Sequence, residues 1–298
     1  METVSQLISI LLPVYLCASI GYFWTRSGRS FDTDQATNLI MIIGGPCLVF
    51  SSLSDHDIDI DLMLEMFGAT VLATGIMGIL GAGLLRIWGL SVRTFVAPLS
   101  FGNTGNLGLP VCYFTFGPEG LALGVCFFAA TSFLQFTVGQ AIWSQELSLG
   151  RALRTPLVWA TLAGLVTVGF DLSVPVWMTR TTTILGGFTI PLMQLALGVS
   201  IARLEVVRMG RSLGLSAIKL GLGAGVGFGV AALLGLEGAA AGVVVLNCAM
   251  PVAVFNYLFA ERYGRSPNEV ASVIVVSTLM SLLTLPLLIG FFFLPAAT

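Results

Sequence analysis

Ten apolar runs, each about long enough to cross a bilayer, succeed one another along this chain with short connections between them. In the first half they fall at about 4–24, 36–53, 62–85, 94–117 and 119–143, and in the second at about 155–170, 176–201, 213–235, 237–260 and 268–294. A backbone in lipid must bond to itself, so each run is predicted to be an α-helix and the fold an all-α membrane protein. Only 9% of the residues are charged, against roughly 25% in a soluble domain. Ten spans of about 20 residues consume roughly 200 positions and leave no room for a separate soluble domain. The opening Met1 to Gln6 lacks the basic start of a secretory signal, so the first run is read as a retained helix.

The basic residues set the orientation. Arg26 and Arg29 follow the first span, Arg86 and Arg93 the third, and Arg151 and Arg154 the fifth. Arg203, Arg208 and Arg211 follow the seventh, and Arg262 and Arg265 the ninth. Eleven of the thirteen basic residues thus share one side, which is the cytoplasmic one. The opposite side receives Arg180 and the acidic cluster Asp55, Asp57, Asp59 and Asp61. Both termini are therefore expected on the non-cytoplasmic side.

Landmarks recur between the halves. Pro13 and Gly21 are matched by Pro156 and Gly164 at an offset of 143, and Asn106 and Pro110 by Asn247 and Pro251 at 141. Gly44-Gly45-Pro46 in the second run has its counterpart in Gly186-Gly187 and Pro191 of the seventh. Five spans per half reverse the entry of the second half, so residues 1–150 and 151–298 are expected to be inverted repeats with a binding site between them near mid-membrane.

The fourth run carries Phe101-Gly102-Asn103-Thr104-Gly105-Asn106-Leu107-Gly108-Leu109-Pro110. Proline removes a helical hydrogen bond and three glycines make extended backbone cheap, so this helix is expected to break, and so is the ninth at Asn247-Cys248-Ala249-Met250-Pro251. Asn256 lies one and a half turns further on. Either each proline kinks a packing helix, or the paired breaks form a site; opened backbone would aim half-helix N-termini at the membrane centre, where they favour an anion.

Other polar residues within the spans carry weaker signals. Lys219 would cost about 2.5–3.5 kcal/mol at the bilayer centre; it lies a turn or two inside the cytoplasmic end of its span, so snorkelling is preferred over contact with a substrate. Gln135, Gln140 and Gln194 either face a cavity or bridge helices, and Ser51 and Ser52 either line the cavity or pack. Glu65 reads first as an interfacial carboxylate and second as a proton-coupling site. The five cysteines lack metal-ligand spacing and His56 is the only histidine, so no metal, cofactor or disulfide is expected.

These residues resemble the auxin efflux carrier family, the membrane transport proteins that include plant PIN-formed carriers and bacterial carboxylate permeases. The resemblance rests on Gly102 to Pro110 with Phe116-Gly117-Pro118-Glu119-Gly120, and on Ala249-Met250-Pro251-Val252-Ala253 with Ala260-Glu261-Arg262-Tyr263-Gly264. Ile190-Pro191-Leu192 with Leu197-Gly198 adds a lesser match. It implies that the proline-broken fourth and ninth helices cross within a mobile transport bundle of spans 3–5 and 8–10. Spans 1, 2, 6 and 7 would form a scaffold that commonly dimerises. It further implies elevator-type export of small organic anions, with the carboxylate near Asn103, Asn106 and Pro110 and opposite Asn247 and Pro251. The short connection from Ser144 to Arg154 departs from the long plant carriers and suits a compact bacterial permease.

Rival readings are an organic-anion channel lined by the same broken helices, a sodium- or proton-coupled symporter, and a non-transporting sensor. An intramembrane enzyme is disfavoured, because metalloprotease and serine-protease chemistry both need histidine at membrane depth. A carboxylate, the lipid bilayer and a second copy of the chain are the expected partners, with no nucleic acid.

Overall fold

The structure, a computed structural model, describes residues 2–54, 60–146, 150, 155–170 and 172–292. The expected exposed His56, the acidic Asp55, Asp57 and Asp59, and the basic pair Arg151 and Arg154 lie outside the described residues. Among the described residues the fold is all helical, with no strand.

In chain order, α1 is Glu2–Arg26, and α2 (Thr33–Leu39) continues through a π-helical turn, Ile40–Gly44, into α3 (Gly45–Ser54). The hairpin of α4 (Ile60–Ile87) and α5 (Val92–Ser100) follows. A second π-helical turn, Thr104–Gly108, leads into α6 (Leu109–Leu134), and a third, Gln135–Gly139, into α7 (Gln140–Ser144). The second half comprises α8 (Pro156–Gly169), α9 (Val176–Gly187), α10 (Thr189–Arg203), α11 (Met209–Leu234), α12 (Gly238–Cys248), α13 (Phe255–Arg262) and α14 (Pro267–Phe292). Local chemistry starts several of them. The Asp32 carboxylate accepts from Gln35 N at 2.9 Å to cap α2, Ser91 Oγ accepts from Thr94 N to cap α5, and Pro156 opens α8 where its missing N–H is not needed.

By length and composition, seven helical stretches among the described residues suffice to cross a membrane. Three features separate that number from the ten runs of the sequence. The run at 155–170 folds as the short apolar helix α8, and the run at 237–260 is interrupted after Cys248. The runs at 94–117 and 119–143 join into one helical stretch, Thr104–Ser144, which bends at Gly117. There φ is 67°, a conformation that costs glycine nothing, and Pro118 follows it.

The helices pack as two neighbourhoods. In one, α1 lies along α10, and α3 packs against α8 and α9. In the other, α4 contacts α5 and α6, while α11 contacts α12, α14 and α4. Without a hydrophobic drive between helices in lipid, close backbone approach supplies the cohesion. A Cβ at Gly198 of α10 would overlap the Ala18 carbonyl of α1, and one at Gly21 of α1 would overlap the Leu195 carbonyl. Large apolar side chains such as Ile79, Ile184 and Leu283 stay exposed, as lipid-facing surface does.

This contact makes a test. Gly198→Val should destabilise the protein by about 1–3 kcal/mol or more through overpacking, read as a lower unfolding temperature in detergent. Gly187→Ala, at a position open to its surroundings, should leave that temperature unchanged.

Candidate functional site

The two interruptions meet. α5 ends at Ser100 and helical backbone resumes at Thr104; α12 ends at Cys248 and α13 begins at Phe255. The intervening segments run antiparallel, with an isolated bridge between Gly102 and Val252. Asn103 N donates to the Pro251 carbonyl at 2.7 Å, and Ala253 N donates to the Phe101 carbonyl at 3.1 Å. Val252 N donates to Ser277 Oγ of α14 at 3.1 Å. Each opened helix therefore completes the hydrogen bonding of the other, which is how irregular backbone survives away from water.

The first break falls within the stretch the sequence marked, Phe101 to Pro110, at its glycine–asparagine start rather than at its proline. Pro251 lies within its interruption, but the fourth run opens at Phe101–Asn103, seven residues before Pro110. Pro110 is the second residue after the π-helical turn Thr104–Gly108, where the backbone ladder is already changing register. Asn103, rather than the proline, organises the break. Its Oδ1 accepts from Asn106 N at 3.2 Å, and its carbonyl accepts from Gly108 N at 3.0 Å and Leu107 N at 3.3 Å. It thus caps the new helix from both ends of the residue.

Beside the crossing lies a cavity of about 350 Å³. Gly102 to Asn106 at the start of one half-helix and Ala253 to Phe255 at the start of the other both line it. Two helix N-termini, with their partial positive charge, thus converge on one space. Two buried amides border the same space: Asn103 at 5% exposure and Gln135 at 6%. Asn103 Nδ2 and Gln135 Nε2 have no hydrogen-bond partner among the described residues. Buried N–H donors without a partner are costly; both nitrogens are closed off by their neighbours, while the residues that carry them border the cavity. All three π-helical turns contribute lining, through Ile40 and Met41, Thr104 to Asn106, and Gln135 and Phe136.

The structure thus gathers Asn103, Asn106 and Gln135 at the cavity and sets Asn256 within the crossing. Asn256 Nδ2 donates to the Ala253 carbonyl at 3.1 Å and lies 3.5 Å from the Phe101 carbonyl. The other sequence candidates lie elsewhere. Asn247 is buried between α12 and α6, donating to Cys112 Sγ at 3.2 Å and to the Val243 carbonyl at 2.9 Å. Ser51 donates to the Leu48 carbonyl at 3.2 Å within α3. Gln194 is buried on α10 outside the lining, and Glu65 is exposed on α4. Gln140 Nε2 donates to Tyr263 Oη at 3.1 Å and bridges helices.

Lys219 corrects the snorkelling expectation. It is fully buried, and its Nζ donates to the Cys248 carbonyl at 3.0 Å. The carbonyl end of the interrupted α12 offers the amine an acceptor that water would otherwise provide. It does not line the cavity.

Sequence reasoning missed the α10 wall, Met193, Ala196, Ser200 and Arg203. Their spacing of three, four and three residues marks a single helical face, a signal present in the sequence once α10 is known to border a cavity. Arg203 Nη1 donates to Thr33 Oγ1 at 2.8 Å and Nη2 to the Phe31 carbonyl at 2.7 Å, tying α10 to the start of α2 at the cavity's charged rim. Asp34 and Glu261 share that rim.

Apolar helices in membrane-spanning number, two of them opened around a central cavity, define an integral membrane transport protein. The profile of the family described as "Membrane transport protein" matches residues 6–147 and 140–289, and the chain belongs to that family. It is also similar to a protein of Methanothermobacter thermautotrophicus named as an uncharacterized transporter, at 26% identity over 96% of each chain. An uncharacterized transporter of Methanocaldococcus jannaschii is likewise 26% identical, over 94% of this chain and 97% of its own length.

The crossing predicts a stability effect. Ser277→Ala removes the acceptor of the buried Val252 N–H and should cost about 1–3 kcal/mol, measured as earlier thermal unfolding of the purified protein.

Proposed function

We propose that the protein is a secondary carrier of small organic anions, mono- or dicarboxylates and auxin-like acids, which binds the carboxylate in the cavity beside the crossing. One observation carries the reading: two half-helix N-termini and the buried amide residues Asn103 and Gln135 border the same space. Positive helix ends and neutral amide donors suit an anion, and they recognise the carboxylate while leaving the rest of the molecule to the apolar wall of Phe128, Met193 and Met41.

In this reading the chain crosses the membrane ten times, as halves 1–150 and 151–298 of opposite orientation. The bend at Gly117 separates the fourth and fifth crossings, and the interrupted α12 and α13 together make the ninth. The two packing neighbourhoods support a division of labour in which α1, α3, α8, α9 and α10 serve as the fixed scaffold of a homodimer. The bundle holding the crossing moves against it in an elevator-type stroke. Arg203 and Glu261 on the cavity rim sit at the ends of helices that lead into basic connections, so the cavity of this conformation faces the cytoplasm and both termini lie outside. That orientation suits loading for export.

Flux in proteoliposomes tests the proposal against a panel of mono- and dicarboxylates, with internal anion varied. Saturable flux with counterflow is expected; flux that never saturates, with single-channel events, would establish the channel instead. Asn106→Ala and Gln135→Leu should each weaken half-saturation by about tenfold or more, the equivalent of one hydrogen bond to a charged group. Wild-type flux in both variants, with normal membrane insertion, would take the carboxylate out of this cavity.

A further inference from the structure

The anion site leaves the buried lysine unused. α12 stops at Cys248, so its last carbonyls lack helical partners and carry the negative end of the helix dipole. Interrupted helices of carriers hold sodium ions or protons at such ends. Here a side chain reaches the same place. Lys219 Nζ lies 3.0 Å from the Cys248 carbonyl, at mid-length of α11 and with no exposed surface. One turn further along α11, Gly223 lets the helix backbone press against that carbonyl, which a Cβ would overlap. The backbone approach and the amine thus act on a single oxygen.

The carboxylates on the helices packed against α11 stand at helix starts. On α14, Glu269 is held by Arg211 at 2.8 Å and Arg208 at 3.5 Å. On α4, Asp61 and Glu65 stand in the opening turns of the helix, and Glu237 precedes α12 at the end opposite Cys248. Among the described residues no carboxylate pairs with Lys219. Its only hydrogen-bond partner given by the structure is the half-helix end itself.

We infer that the Lys219 ammonium is a tethered cation that fills the cation position at the end of α12, so that the protein needs no sodium ion to hold its crossing or to carry its anion. The inference rests on the carrier reading in calling that position a coupling site. Its structural part stands on the geometry alone.

Thermal unfolding of the purified protein in detergent, in sodium chloride against choline chloride, is the first measurement. Wild type should unfold at the same temperature in both, and saturable stabilisation by sodium would overturn the inference. Lys219→Ala should lose several degrees and recover them in ethylammonium chloride, while Lys219→Met, which keeps the apolar volume without the charge, should stay low. A Lys219→Met protein that unfolds with wild type, or a folded Lys219→Ala protein indifferent to ethylammonium, would also overturn it. If Lys219→Ala fails to fold, the wild-type salt comparison and Lys219→Met still decide. These readings involve no flux, so they remain interpretable if carboxylate transport is not found; where it is found, replacing sodium by choline should leave the rate unchanged.

Discussion

Backbone amides and carbonyls have no water to turn to inside a bilayer, and every irregular feature of this protein answers that constraint. The two opened helices satisfy it by exchanging hydrogen bonds, Asn103 to Pro251 and Ala253 to Phe101, across a single bridge. Neither opening is sustainable alone. The crossing is therefore one unit built from residues about 150 positions apart, and the surrounding helices pack to protect it. Ser277 from α14 and Lys219 from α11 each supply a polar atom to it.

The same exchange creates the cavity. Once the helices stop short of the centre, their restarting ends present N–H groups and positive dipoles to the gap. Asn103 closes part of that demand by capping its own helix, and the rest falls to whatever occupies the space. Structural need and anion preference thus come from one arrangement. The carbonyl end of α12 poses the opposite electrostatic demand, answered by an amine within the chain.

Much of this was legible in the residues. Apolar runs, paired arginines and the family motifs pointed to a helical membrane transporter, and the Gly102 to Pro110 stretch marked the first opening to within a few residues. Only the share given to Pro110 misled, because a proline after a π-helical turn need not open a helix, whereas an asparagine cap can define where one starts. Asn247 looked equivalent to Asn106 by offset, yet it faces Cys112 rather than the cavity. Lys219 looked able to snorkel by its distance along the helix. Only the placement of Cys248 beside it shows an internal acceptor. The α10 wall was unreadable until its neighbour was known, since one helix face looks like another in lipid.

The three π-helical turns have a bearing on how such a cavity is remodelled over generations. Each holds one residue more than an α-helical turn would and absorbs it in a local widening, so losing a single codon there would restore regular winding and replace the wall of that turn while the helix beyond it keeps its facing. The walls at Ile40–Gly44, Thr104–Gly108 and Gln135–Gly139 could thus each exchange one set of side chains for another in a single genetic event. Selectivity in a protein of this design has a discrete route to variation, by changes of length as well as of residue type.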